Sequence, residues 1–299
     1  MHCTTKVRRM ALELSGSIAA LVTPMAPDGS LDLSAWERLL EWHYAQGTDG
    51  IVVGGTTGES PTLTLAEVVK LVSLAKACFA GRPVLAGSGT NSTATTIERG
   101  QALATAGADA LLVVTPYYNK PTQTGLIAHF KAVAAGSAVP IVLYNVPGRT
   151  AVDLLPQTVQ ILADEPQIVA LKESTNSVPR IQDLVDRVGE RFTILCGDDP
   201  VAAASMLAGA RGVISVTANV VPRAMHEMAL AALAGDADRA LALDGTLRTL
   251  HDVLFVEPNP IPTKWALEQL GRIGSGIRLP LTPLSAQAQA VVAAALAAL

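Results

Sequence analysis

The sequence predicts an α/β chain folded as a (β/α)8 barrel, a TIM barrel, with a C-terminal helical extension, and three observations lead there. A unit made of a short β-branched run, a loop rich in Gly, Pro or Thr, and a longer amphipathic stretch recurs eight times along the 299 residues. Hydrophobic residues make up 49% of the chain and aromatics only 4%, so the core is built of Ala, Val, Leu and Ile, as buried parallel strands require. The first strand ends in Thr23-Pro24-Met25, where an open doubly wound sheet would place a glycine-rich phosphate turn.

Taken in order, the strands are expected at 18–23, 50–54, 83–87, 110–115, 140–145, 168–173, 193–197 and 212–216. The helices between and after them are expected at 33–45, 65–79, 93–106, 124–135, 155–163, 179–188, 200–208 and 222–234. A helix after every strand makes each connection a crossover, so the sheet is parallel and can close. Three further helical stretches, 237–253, 262–270 and 285–299, exceed what a minimal barrel needs. The expected organisation is therefore a leader over 1–14, a barrel over 15–235 and a helical extension over 236–299 that packs on the barrel or on a partner subunit. The leader is too short and too interrupted for a signal peptide, and Met10 is an alternative start.

Composition removes several function classes. The formal net charge is −4 and the only basic run is Lys6-Val7-Arg8-Arg9, so no nucleic-acid surface is expected. No apolar run is long enough to span a bilayer. Cys3, Cys78 and Cys196 lack CxxC spacing, which argues against a disulfide framework and a zinc site and suits a reducing cytoplasm.

Catalytic groups of such barrels sit at the C-terminal strand ends. The sixth of these windows puts Lys172 after four apolar residues, with Ile168, Ala170, Lys172 and Ser174 expected on one face. If that face lines the barrel interior, the amine is shielded from water and suited to attack a carbonyl, forming a Schiff base; otherwise Lys172 reaches solvent or pairs with Glu173. The fifth window ends a strand with Tyr144 and turns through Pro147 and Gly148 to Arg149, a phenol to move protons and a guanidinium to hold a carboxylate. Singly, either is as well explained by packing or surface exposure. The second window, Gly54-Gly55-Thr56-Thr57-Gly58-Glu59-Ser60, is a turn able to cradle a carboxylate, or an ordinary tight loop. The fourth holds Tyr117 and Tyr118 between Pro116 and Pro121, a pattern suited to an interface.

Together with Gly197-Asp198-Asp199, Gly212-Val213-Ile214-Ser215-Val216 and Phe255-Val256-Glu257-Pro258-Asn259-Pro260, these windows resemble, in this order and from about residue 16 to 283, the dihydrodipicolinate synthase family of pyruvate-dependent lysine aldolases. The resemblance implies condensation of pyruvate with L-aspartate-4-semialdehyde, with no metal or organic cofactor. It implies that Lys172 forms the imine, that Tyr144 shuttles protons through Thr56 to Tyr118 of a neighbouring subunit, and that Thr57 and the Ile214 main chain hold the pyruvate carboxylate. Arg149 would hold the semialdehyde carboxylate, a residue that relatives cleaving sugar-derived keto acids generally lack. A homotetramer built as a dimer of dimers is also implied. Metal-dependent aldolase chemistry fits poorly, because His2, His43, His129, His226 and His251 are scattered. A small-molecule sensor that keeps the pocket without turnover is the non-catalytic alternative. In lysine-inhibited members a Glu stands where this chain has Thr95, and polar residues stand at Leu65 and Val68, so weak feedback by lysine is expected even though Asn91 and Tyr117 match the pattern.

Overall fold

The computed structural model describes residues 12–299. Eight parallel strands close into a barrel in chain order: β1 (Gly16–Ala20), β2 (Gly50–Val53), β3 (Val84–Gly87), β4 (Ala110–Val114), β5 (Ile141–Asn145), β6 (Ile168–Glu173), β7 (Thr193–Cys196) and β8 (Gly212–Ser215). Around them run α1 (Leu33–Ala45), α2 (Leu65–Cys78), α3 (Thr93–Thr105), α4 (Gln123–Ala135), a short α5 (Pro147–Thr150), α6 (Pro156–Leu162), α7 (Val178–Val188), α8 (Ala202–Leu207) and α9 (Pro222–Leu233). The C-terminal part adds α10 (Ala237–Val253), α11 (Ile261–Gln269) and α12 (Ala286–Ala297).

Local chemistry sets the helix starts. Thr64 accepts from the Glu67 N–H while the Glu67 carboxylate accepts from the Thr64 N–H, a reciprocal cap that begins α2. Asp32, Ser92, Thr122 and Ser177 cap α1, α3, α4 and α7 from one side. The helix expected at 200–208 instead opens as a 3-10 turn over Asp199–Val201, because the Asp199 carboxylate is held by the Val216 and Thr217 N–H groups at 2.9 Å. The four-residue α5, in the loop after β5, was not foreseen from the sequence.

Alternation along the strands builds two packed shells. Ile18, Val52, Leu85, Val142 and Ile214 fill the barrel, whereas Ile51, Val84, Leu111, Leu143 and Val213 meet the helices. Leu14 joins the interior set at its floor although it falls in the segment expected as a leader; residues 1–11 of that segment lie outside the described residues. Closure between β1 and β8 brings two backbones close. A Cβ on Gly212 would stand 2.4 Å from the Gly16 carbonyl oxygen, so only glycine fits. The Asn219 side chain then ties the two ends, accepting from Val22 N–H and donating to the Ala20 carbonyl.

The expected facing of β6 needs one correction. Its register against β5 slips between Ile141 and Val142, so Val169 and Ala170 both turn toward the barrel interior while Ile168 packs with the helix-facing core. The bulge breaks the period-two pattern below Ala170 and restores it above, which leaves Lys172 inside and Leu171 outside.

The C-terminal helices form their own apolar cluster around Leu250, Leu254, Ile261 and Val292. They are also bonded to the loop after β2. Lys264 of α11 donates to Glu59 at 2.5 Å and to the Thr23 carbonyl at 3.0 Å, and the Arg278 N–H donates to the other Glu59 oxygen. Both side chains of this pair are buried, and Glu59 has φ 59, a left-handed backbone angle that the pair holds in place. Lys264→Met strands a buried carboxylate and is expected to cost about 3–5 kcal/mol in urea denaturation, with less additional loss when Glu59→Gln is added. Equal stability of Lys264→Met and wild type would show that the pair holds nothing.

Candidate active site

Lys172 is 6% exposed and stands opposite Tyr144 in the β5–β6 register, its Nζ 4.4 Å from the centre of the Tyr144 ring. No hydrogen bond or ion pair reaches its Nζ among the described residues. Glu173, the alternative partner, lies on the opposite face of the strand, where Asn145 donates to both its oxygens at 3.1 Å and the Arg180 Nε lies 3.6 Å away. Lys172 therefore does not form the structural pair. Gly197 at the end of β7 gives it room, because a Cβ there would come within 2.9 Å of the Lys172 Cε and 1.9 Å of the Ser174 Oγ.

The Lys172 amine opens on an inner chamber of about 60 Å³ whose wall includes Tyr144, Thr56, Thr57, Arg149, Asp198 and Asn259. Thr56, Tyr144 and Arg149 also line a wider outer pocket of about 380 Å³, so the two form one path from the surface to the lysine. Thr57 is placed from two sides. Its backbone sits in a turn where Gly58 and Ser60 N–H groups donate to the Gly55 carbonyl, and its hydroxyl accepts from Asn259 Nδ2 at 2.9 Å. Arg149 projects from α5, whose last residue Thr150 is anchored by its hydroxyl to the Val146 and Val152 carbonyls. This leaves the guanidinium exposed on the path and without a hydrogen-bond partner among the described residues.

Five of the seven residues expected at the site thus meet in one chamber. Ile214 is fully buried in the barrel interior, and the neighbouring Val216 takes the wall at that strand end. Tyr118 is 88% exposed with φ 73 and takes no part in the chamber of its own chain, while Tyr117 stands at the mouth of the outer pocket.

Electrostatics mark two carboxyls near the lysine. Burial pushes Asp198 above the ordinary aspartate range, against the Asn176 N–H bonded to it and the Lys172 charge beside it. Burial raises Glu173 from 4.5 to about 7, although Arg180 and Asn145 oppose the shift. The described residues contain no cluster of three His, Cys, Asp or Glu fit to hold a metal. His43 and His129 are buried in α1 and α4, where desolvation pushes them down to about 3 and about 4.

Sequence reasoning gave no role to Asn259, Gly197 or Asp198, although the motifs that contain them were singled out. Their contacts to Thr57 and Lys172 join segments far apart in the chain, so no local pattern signals them. An amine held in no hydrogen bond or direct ion pair, a phenol against it and a guanidinium on the path suit covalent attack on the carbonyl of a small anionic substrate.

A sequence model of the Dihydrodipicolinate synthetase family matches residues 13–299. The 4-hydroxy-tetrahydrodipicolinate synthase of Methylibium petroleiphilum is 54% identical over 278 residues, 93% of this chain and 95% of the relative. That of an Azoarcus species is 52% identical over 273 residues, 91% of this chain and 94% of the relative. Among solved structures, the chloride-inhibited dihydrodipicolinate synthase of Acinetobacter baumannii complexed with pyruvate matches with a TM-score of 0.94 at 47% identity, over 96% of this chain and 99% of that one.

The raised Glu173 carboxyl has a definite effect on stability. Its folded pKa lies above the unfolded one, so the folded state holds more protons between the two and stability falls as pH rises from about 4.5 through about 7. The loss is on the order of 3 kcal/mol. Glu173→Gln removes this titration, so urea denaturation should show the variant gaining on wild type between pH 5 and pH 8. A constant difference across that range would contradict the assignment.

Proposed function

The chain belongs to the dihydrodipicolinate synthetase family, and on that premise we propose that it condenses pyruvate with L-aspartate-4-semialdehyde to give 4-hydroxy-tetrahydrodipicolinate. This is the first committed step of lysine biosynthesis through diaminopimelate, catalysed by a lyase of the class I aldolase type. The observation on which the reading rests is Lys172, buried, unpaired and facing a chamber shared with Tyr144 and Arg149.

The Lys172 amine adds to the ketone carbon of pyruvate and water leaves, forming a protonated imine. Its nitrogen draws electrons, so the methyl group gives up a proton and an enamine forms. The enamine carbon adds to the aldehyde carbon, and the oxygen there takes up a proton. The amino group of the condensed chain then displaces Lys172 from the imine carbon, which closes the ring and frees the amine. The imine supplies the electron sink, so neither a metal nor an organic cofactor is required.

Tyr144, against the Lys172 Nζ, is the proton carrier in this reading. Thr56 links it to the partner subunit's Tyr118, and the exposure of Tyr118 on its own chain supports that assignment. Thr57, fixed by Asn259, and the Ile214 main chain hold the pyruvate carboxylate, while Arg149 holds that of the semialdehyde. The shared tyrosine requires at least a tight dimer, and membership of the family extends this reading to a homotetramer built as a dimer of dimers. The cytoplasm is the compartment in this reading; the free thiols Cys78 and Cys196 suit it, and no helix among the described residues is long and apolar enough to cross a membrane.

Treatment with pyruvate and borohydride should add one reduced pyruvyl group, found by intact mass and mapped to Lys172. Lys172→Arg keeps the charge but cannot form the imine, so it should take up no adduct and lose about a thousandfold or more in activity. No adduct on wild type, or an adduct on another lysine, would overturn the mechanism. Sedimentation should show a tetramer; a fully active monomer would remove the Tyr118 relay.

A further inference from the structure

The ends of β7 and β8 form one side of the inner chamber, where Asp198 and Val216 are on the wall with Lys172. The residue after each of them is fixed from behind. Asp199 is buried and its Oδ2 accepts from the Val216 and Thr217 N–H groups at 2.9 Å, which ties the two strand ends together. Thr217 is fully buried, and its hydroxyl lies 2.8 Å from Nδ1 of His251 in α10. His251 is fully buried as well, and its Nε2 faces Oδ1 of the buried Asp244 at 3.6 Å, beyond hydrogen-bond distance. Neither of those two atoms has a hydrogen-bond partner among the described residues. Arg248, on the same face of α10, donates to the Pro200 carbonyl at 2.7 Å, so one helix holds the loops after both strands. The condensation uses none of these side chains directly.

We propose that His251 is a positioning residue for pyruvate: through the Thr217 hydroxyl it sets the strand end that meets the substrate carboxylate. A carboxylate accepts and cannot donate, so the ring turns its Nε2–H toward Asp244 and leaves Nδ1 to accept the Thr217 O–H. Asp199 carries the constraint onward, because the oxygen that holds the Thr217 N–H also holds that of Val216 on the chamber wall. The Ile214 main chain, two residues before Val216, is the part of β8 that meets the pyruvate carboxylate in the proposed function, on which the inference rests. Losing the Thr217–His251 bond costs stability under any reading, since a buried polar atom is left unmet. Only a positioning role makes the loss specific to pyruvate.

The test compares Thr217→Val, Thr217→Ser, His251→Gln and His251→Asn in the full-length chain. An Asn amide puts a polar atom near the place of Nδ1 and a Gln amide near that of Nε2, so Asn keeps the Thr217 bond and Gln keeps the Asp244 side. For each variant the pyruvate concentration that half-saturates the borohydride-trapped Lys172 adduct is measured, with kcat, the KM for each substrate and urea stability. Thr217→Val and His251→Gln should raise the half-saturating pyruvate concentration about fivefold or more, while kcat and the KM for the aldehyde stay within about twofold of wild type. Thr217→Ser and His251→Asn should stay close to wild type for pyruvate, although His251→Asn loses stability as His251→Gln does. Pyruvate affinity that simply follows urea stability across the four variants overturns the proposal, as does unchanged half-saturation in Thr217→Val. If Thr217→Val does not fold, the contrast between His251→Gln and His251→Asn decides. A wild type that takes up no pyruvyl adduct overturns the function itself, and this inference with it. A normal wild-type adduct with four variants of equal pyruvate affinity overturns the role of His251 alone.

Discussion

Lys172 and Lys264 are both buried, and only Lys264 is in a direct ion pair. The division of labour in the molecule follows from that difference. An ammonium taken out of water needs a partner, and Lys264 has one in Glu59 with the Thr23 carbonyl beside it. Its task is mechanical: it locks the loop after β2 to the C-terminal helices. Lys172 has the face of an aromatic ring and a chamber in place of an ion pair. The carboxylate next to it in sequence, Glu173, points to the other side of the strand and is satisfied there by Asn145 and Arg180.

The C-terminal extension is tied to the same arrangement. The Thr56-Thr57 turn is short and has a left-handed residue at its end, a geometry that an isolated loop would not hold. Asn259 fixes the Thr57 hydroxyl and Lys264 fixes Glu59, two bonds from one segment to one turn. The Arg278 side chain adds an ion pair to Glu67 in the first turn of α2. The helices that a minimal barrel could omit thus brace the turn that, in the proposed reaction, faces a substrate carboxylate with backbone and hydroxyl groups, where a misplacement of about 1 Å is enough to cost activity.

What the sequence made legible follows from the range of the interactions involved. Strand and helix positions are written in local periodicity, and β6 and α1 coincide with their expected limits. The strands expected to end at Thr23, Gly54, Thr115 and Gly197 end earlier, at Ala20, Val53, Val114 and Cys196, although the Thr115 and Gly197 N–H groups still donate to the Tyr144 and Glu173 carbonyls of the neighbouring strands. The bulge at Val169 could not be read, since it depends on the register against β5 and leaves the apolar run unbroken. Lys172 was recognisable as a lysine in an apolar strand, but whether it had a partner was not, because Glu173 is its neighbour in sequence and its opposite in direction. Asn259, Gly197 and Lys264 act across long sequence separations, so only the closed fold reveals what they hold.

Charge along the approach to Lys172 has one sign at each wider step. Lys172 stands in the inner chamber, Arg149 on both walls and Arg99 only on the outer wall. Asp198 is the acidic residue on this path, and burial pushes it toward its neutral form. A chain with a net charge of −4 has therefore concentrated cations in a single groove. Low-dielectric walls focus the field of such a groove toward its floor and raise the local concentration of anions. Both substrates in the proposed reaction bring carboxylates, and each needs an anchor that the other does not occupy. In the proposed reaction Thr57 and the backbone near it serve the first without adding a charge beside Lys172, which leaves Arg149 to the larger partner. In that proposed reaction selectivity comes from where charge is withheld as much as from where it is placed: the inner anchor is neutral, so the amine keeps its freedom to react, and Arg149, the outer anchor, is charged, so the second anion is held at a distance from the first.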